Sequence, residues 1–336
     1  MGSIDYNLCI KRKLILIKNA TMRQLQVFEA VARNLSYTRA AEELFTTQPT
    51  VSIQLKQLTE LVGRPLLEQV GKKVYLTETG QALLKICREI FDSLSRFEML
   101  VSDMNGVKAG TLRLAVITTA KYFVPRLLGV FCQRYPGIDV SLKVTNRERV
   151  LQRMTENQDD LYVLGQPPEQ MDVEFEPFLE NPLVVLATGS HPLAGKKNIS
   201  PQRLVEEQFL MREPGSGIRL ATEQFFGERG LKLKVRMELG SNEAIKQAVA
   251  GGLGIAVLSA HTLALEHSKD ELAILDVKGF PIRRHWYLAH PKDKQLSVVA
   301  QAFLEFLHEE SKLLGEKYLL GITGFPVQNH KINKIS

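Results

Sequence analysis

The spacing of apolar side chains changes along this 336-residue chain, and each change predicts a different kind of element. From Met22 to Asn34, residues Leu25, Val27, Phe28, Val31 and Ala32 recur at the interval of a helix that buries one face. A shorter helical pattern follows Ser36, with Ala40, Ala41 and Leu44 on one face. The Ser36 hydroxyl is placed to accept a bond from an amide of its first turn. Phe45-Thr46 breaks the pattern. Thr47 then precedes Gln48-Pro49, a hydroxyl cap with proline in the first turn, where a missing N–H costs nothing. Val51, Leu55, Leu58, Leu61 and Val62 form the buried stripe of this third helix, and Gly63-Arg64-Pro65 ends it. Between Ser36 and Val62 the chain therefore reads as a helix-turn-helix. The same pattern also fits two surface helices of an ordinary helical domain.

The outward face of the third helix decides what such a motif could do. Gln48, Thr50, Ser52, Gln54 and Lys56 are short, polar and mostly uncharged, with amides and hydroxyls that can bond base edges and phosphates. Thr38, at the start of the preceding helix, is grouped with them. From Leu66 to Leu76 a short strand pair is expected around Gly71-Lys72-Lys73, a wing whose Lys72 and Lys73 would lie near phosphates. An ordinary solvated lysine turn is the alternative.

Thr77-Glu78-Thr79-Gly80 opens a long helix to about Asn105. Leu83, Ile86, Cys87, Ile90, Leu94, Phe97, Val101 and Met104 step by threes and fours along it, a coiled-coil seam of about three heptads. Its simplest partner is the same helix of a second protomer. Val107-Lys108-Ala109-Gly110 is a linker.

Beyond Gly110 strands and helices alternate, which predicts a parallel sheet with crossovers. Strands are expected at 111–117, 139–144, 161–164, 173–179, 183–187, 209–212, 233–239, 255–259 and 284–289. Helices are expected at 121–134, 147–157, 220–227, 243–250 and 296–314. Two α/β lobes joined by crossing strands make a hinged cleft.

Composition changes this picture little. The net charge of +6 includes 11 basic and 7 acidic side chains in residues 1–80, so basicity permits DNA binding without arguing for it. Cys9, Cys87 and Cys132 lie far apart, with neither a disulfide framework nor a metal spacing, which suits a reducing compartment. The apolar run Leu14–Ile17 is too short for a signal core or a membrane span, so a cytoplasmic protein without membrane contact is expected. Residues 1–21 read as an extension of uncertain origin, and 315–336 as a tail without assigned function.

Ligands of open α/β sheets bind beyond the carboxyl ends of strands, where helix N-termini offer free amides. Thr118, Thr119 and Lys121 follow the first strand, and Gly165 and Gln166 the third. Arg212, Gly215 and Ser216 follow a strand of the second lobe, and Gly251 opens the glycine run Gly251-Gly252-Leu253-Gly254. Hydroxyls, an arginine and amides facing one cleft would suit a carboxylate or a phosphate ester. Thr118-Thr119 is equally a cap pair, and the glycine run equally an αβ turn. The sequence carries no dinucleotide fingerprint, P-loop, GxSxG or HExxH, and its seven histidines show no metal spacing. We therefore expect no enzyme, no catalytic or metal site and no cofactor. The rival classes are a cleft enzyme or solute-binding module with a helical head, and a constitutive architectural DNA binder.

Residues 22–80, from MRQLQVFEAVARNLSYTRAAEELFTTQPTVSIQLKQL through GRPLLEQVGKKVYLTETG, resemble the winged helix-turn-helix of LysR-type transcriptional regulators. The resemblance continues to about residue 312. It implies an α winged helix-turn-helix at 22–80, a linker and dimerisation helix with its hinge at 81–109, and a periplasmic-binding-protein-like α/β effector domain of two lobes at 110–314. It carries DNA contact to Gln48, Pro49, Thr50, Ser52 and Gln54. Ile53 and Gln69 stand where family members commonly hold arginine, which removes those two contacts from the carry-over. TQPTVSIQLKQLT, EQVGKKVYLTETG and VITTAKYFVPRLLG look most like the carbon-fixation (RuBisCO operon, CbbR/RbcR-type) activators and their relatives controlling inorganic-carbon uptake. That likeness implies a metabolite effector such as ribulose bisphosphate, 2-phosphoglycolate, 2-oxoglutarate or NADPH. It also implies double-stranded promoter DNA and RNA polymerase as partners, and self-association as a dimer of dimers. A family member serving another pathway with a carboxylate effector is the alternative.

Overall fold

The computed structural model describes residues 18–71, 73–104, 108–168, 171–263 and 271–319, the last nine by backbone alone. Lys72, the linker residues 105–107 and most of the 1–21 and 315–336 segments lie outside them. The chain divides into two compact units, one ending at Glu98 and the other beginning at Met99.

In the first unit α1 (Met22–Asn34), α2 (Tyr37–Glu43) and α3 (Gln48–Val62) close around Phe28, Val31, Ala40, Val51 and Leu58. Each start carries the cap its residues favour. Thr21 and Gln24 form a reciprocal capping box, Ser36 accepts from the Arg39 amide, and Thr47 accepts from the Thr50 amide. Gly63 ends α3 at φ +74°, a left-handed cap that glycine adopts without strain. The wing is an antiparallel pair, β1 (Leu67–Val70) and β2 (Lys73–Leu76).

The long helix α4 (Glu78–Met104) starts against this core. A Cβ on Gly80 would stand 2.0 Å from the Leu66 carbonyl oxygen, so only glycine lets the helix enter there. The expected seam is split. Cys87, with Leu84, is buried in the same-chain core and cannot face another protomer, whereas Ile86, Leu94, Phe97, Val101 and Met104 are exposed. A helix packed on its own domain gives up one of its apolar faces to that domain, and heptad spacing does not say which.

In the second unit the first lobe is a five-stranded sheet ordered β4-β3-β5-β12-β6. Its strands are β3 (Gly110–Ile117), β4 (Ile138–Thr145), β5 (Leu161–Leu164), β6 (Val173–Glu180) and β12 (His285–Pro291). β3, β4 and β5 are parallel, while β12 runs antiparallel to both β5 and β6, so the sheet is mixed and not the purely parallel one expected. Helices α5 (Val124–Arg134) and α10 (Val298–Leu319) help bury Leu112, Leu114, Phe131, Trp286 and Phe303. A 3-10 turn at Thr118–Tyr122 replaces the expected start of α5, because Pro125 favours the first turn of a helix. Helix α6 (Arg147–Thr155) covers the other sheet face.

The second lobe comprises β7 (Leu183–Thr188), the short α7 (Pro201–Leu204), β8 (Gln208–Arg212), α8 (Gly217–Gly227), β9 (Lys234–Leu239) and α9 (Asn242–Ala250). It closes with β10 (Ala256–Ser259) and β11 (Leu272–Leu275), a strand the spacing did not predict. β8 and β9 are parallel, and β10 and β11 flank β7 antiparallel. The chain crosses between lobes twice, and the crossings are bonded to each other: the Asn181 amide donates to Arg284 O (2.7 Å), and Leu183 and Ile282 exchange two bonds of 3.0 Å.

Candidate functional site

On the first unit, α3 presents Gln48, Pro49, Thr50 and Lys56 to solvent, with Ser52 and Gln54 half-buried and Thr38 exposed on α2. Gln48 Nε2 donates to Ser52 Oγ (3.0 Å), one turn apart, so the two side chains are held together before any partner arrives. The Thr50 hydroxyl is shared with Thr47 (2.8 Å). Lys73 is exposed at the wing, and Ile53 is an exposed apolar residue amid these polar groups. Ser36, Thr38, Gln48, Ser52, Lys56 and Gln69 share the wall of one open groove. Leu35, Leu55, Leu67 and Val74 line it too, so these polar groups stand over a partly apolar floor, and side chains of their kind can bond base edges.

On the second unit, a cavity lies between the lobes at the carboxyl ends of β3, β5 and β8. Thr118, Thr119, Gly165, Gln166, Arg212 and Ser216 line it. Lys121, Gly215 and Gly251 do not. Lys121 turns outward to an exposed pairing with Glu243 (2.9 Å). Gly215 shapes the turn before α8 at φ +80°. Gly251 caps the C-terminal end of α9, where the free groups are carbonyls and not the amides an acid would seek. The spacing rule failed there because it took the wrong end of a helix.

The wall residues not singled out from the sequence include Arg147, Asn181, Arg284 and Trp286. Arg147 follows β4, as Thr118 follows β3, and the same carboxyl-end rule could have found it. Arg284 enters from the N-terminal end of β12, which lies at this edge only because β12 runs antiparallel. It donates to Gly165 O (2.8 Å), Gly217 O (2.7 Å) and Gln166 Oε1 (2.9 Å). Arg147 also donates to Gln166 O (2.5 Å). Burial, and then the charge of Arg147, hold the Arg284 guanidinium below its ordinary range. Arginine remains charged even so.

Arg212, only 4% exposed, is held by Glu213 through two parallel bonds (2.6 and 2.7 Å) and by Asn242 Oδ1 (2.6 Å). Asn242 donates in turn to Thr119 Oγ1 (3.1 Å), and Arg212 reaches Thr118 Oγ1 (3.4 Å), so both threonines of the first lobe are tied to the second. Further out, burial pushes the Glu243 carboxyl up, but hydrogen bonds from Tyr122 and Lys121 outweigh it and hold Glu243 at about 2. The space between these side chains, partly open to solvent, is about 30 Å³, room for one or two waters and far below that of a metabolite site. The lobes are drawn together around three guanidiniums and one carboxylate. Such a wall attracts a small molecule bearing more than one negative charge.

Comparison with known proteins gives the two units separate matches. Residues 22–81 match the family described as bacterial regulatory helix-turn-helix protein, lysR family, and residues 105–312 match the LysR substrate binding domain. The HTH-type transcriptional activator CmpR of Synechocystis is 57% identical over 88% of this chain and 98% of its own length. A RuBisCO operon transcriptional regulator of Acidithiobacillus ferrooxidans is 52% identical over 88% of this chain and 96% of its own. The solved regulatory domain of Synechocystis CcmR, in complex with 2-PG, is 59% identical, with a TM-score of 0.59 over 60% of this chain and 97% of that one.

Proposed function

Because this chain belongs to the LysR family of bacterial transcriptional regulators, we propose that its interlobe cavity takes a small metabolite carrying a phosphate and a carboxylate, 2-phosphoglycolate first among them. The protein is a DNA-binding regulator of carbon-fixation or inorganic-carbon genes and not an enzyme. The convergence of Arg147, Arg212 and Arg284 on one cavity carries the effector reading. A phosphate monoester brings a charge of about −1.5 to −2 at neutral pH, and a carboxylate one more. Planar guanidiniums bind both groups in pairs of parallel hydrogen bonds. The 2-PG held by the CcmR regulatory domain supports the same chemistry.

The response is a shift between lobe closures. An effector moves that equilibrium only by binding one closure better than the other. The wall residues Thr118 and Thr119 come from one lobe and Arg212 from the other, with Asn242 bonded behind them, so a ligand among them sets the angle of the hinge. We assign the active form to a cytoplasmic dimer of dimers that contacts RNA polymerase, and its role as an activator is supported by the name of its relative, the transcriptional activator CmpR. Two heads would then address half-sites about one helical turn, ~34 Å, apart.

Calorimetric titration of the full-length protein tests the effector reading. 2-Phosphoglycolate at 100 times its dissociation constant stabilises the folded chain by about 2.7 kcal/mol. DNase footprints on the promoter change length or bend with it. Absence of both binding and footprint change, with 2-oxoglutarate binding in its place, would move the effector to the dicarboxylates.

A further inference from the structure

Taking the cavity as an acid-effector site, we propose that Glu213 is a built-in counter-anion. It occupies the seat of Arg212 until the effector displaces it, and this exchange selects ligands with two acid groups over ligands with one.

Arg212 is buried and its fork is full. Glu213 accepts from Nε (2.6 Å) and from the second guanidinium edge (2.7 Å), the two-bond geometry that a ligand carboxylate or phosphate would use. Asn242 Oδ1 takes a bond from its remaining edge at 2.6 Å. Arg284 is placed differently. Its donors meet backbone carbonyls and one amide oxygen, partners that supply dipoles and no counter-charge. Of these two arginines, Arg212 is paired with a carboxylate and Arg284 is held by neutral partners.

Space favours the exchange. In this closure of the lobes, a cavity of about 30 Å³ has no room for a ligand acid group beside the Glu213 carboxylate. The Glu213 side chain is 27% exposed while that of Arg212 is 4% exposed, so the carboxylate is the partner that can leave for water. It also begins the turn through Gly215, at φ +80°, that leads into α8.

Charge then sets the selectivity. With Glu213 seated, the three guanidiniums exceed the carboxylates of the wall by two, and with Glu213 displaced by three. A ligand with one acid group gains Arg284 but cannot also return to Arg212 what Glu213 supplied. A ligand with two acid groups replaces like with like at Arg212 and adds a new pairing at Arg284. Glu213 thus raises the threshold for inorganic phosphate and other one-acid metabolites abundant in a cell.

The test titrates the full-length wild type and Glu213→Gln with 2-phosphoglycolate and with inorganic phosphate. Glutamine keeps one acceptor and the same shape, so Arg212 retains a partner. Glu213→Gln is expected to bind phosphate at least tenfold tighter than the wild type, and to prefer 2-phosphoglycolate over phosphate by a smaller factor. Phosphate binding no tighter in the variant overturns the proposal. A wild type that ignores 2-phosphoglycolate while the variant still gains phosphate supports the exchange and removes only that effector. Should the variant fail to fold, a crystal structure of the wild type with 2-phosphoglycolate decides. Glu213 more than about 4 Å from the Arg212 guanidinium supports the exchange, and an intact pair beside the bound ligand overturns it.

Discussion

Gln48 and Ser52 illustrate what a single residue carries here. Their mutual bond leaves the Gln48 carbonyl oxygen and the Ser52 hydroxyl proton for base edges. Gln48→Ala is expected to cost about 1–3 kcal/mol on the specific promoter site and little on random duplex, measured by fluorescence anisotropy. Equal losses on both duplexes would mean that Gln48 holds backbone and reads no base. This face was legible in the sequence because it is local: one helix, its cap and its period place every side chain. The cavity was legible only in part. Thr118, Thr119, Gly165, Gln166, Arg212 and Ser216 follow strands whose order can be read from the pattern. Arg284 stands just before β12, a strand more than a hundred residues beyond β5 and brought alongside it in a direction that no local signal encodes.

At the scale of the element, α4 is the case where spacing and packing part. Its exposed apolar stripe, Ile86, Leu94, Phe97, Val101 and Met104, runs along one side for most of its length. Phe97, 63% exposed, is too large a ring to leave in water at no cost, since each buried methylene is worth about 0.8 kcal/mol. Phe97→Glu is expected to shift the sedimentation of the protein toward monomer and to weaken promoter binding with it. A variant that sediments like the wild type would place self-association elsewhere. Cys87 could not be separated from this stripe by sequence alone, because a helix with two apolar faces gives one period for both.

The whole molecule responds to acid through a group that lines neither the groove nor the cavity. His261 sits between the lobes, its ring against Phe123 and Trp286 and its Nε2 donating to Glu180 O (2.8 Å). Burial, partly offset by that carbonyl, holds its pKa at about 4. In the unfolded chain it takes up a proton near the ordinary ~6.5. The unfolded state therefore binds the extra proton as pH falls from about 6.5 to about 4, and the fold loses stability across that window by about 3 kcal/mol. Denaturant midpoints between pH 7 and pH 4 measure this loss, and a His261→Asn variant should flatten the slope. A slope unchanged in the variant would assign the acid sensitivity to other groups. The paired crossings between the lobes, Asn181 with Arg284 and Leu183 with Ile282, have a further consequence. Two strands bonded side by side twist together but do not slide past one another. Arg284 and Asn181 belong both to that ribbon and to the cavity wall, so a ligand there pushes close to the pivot, at the short end of a lever. Small displacements at the pivot become large ones at the outer rims of the lobes, where neighbouring subunits would feel them.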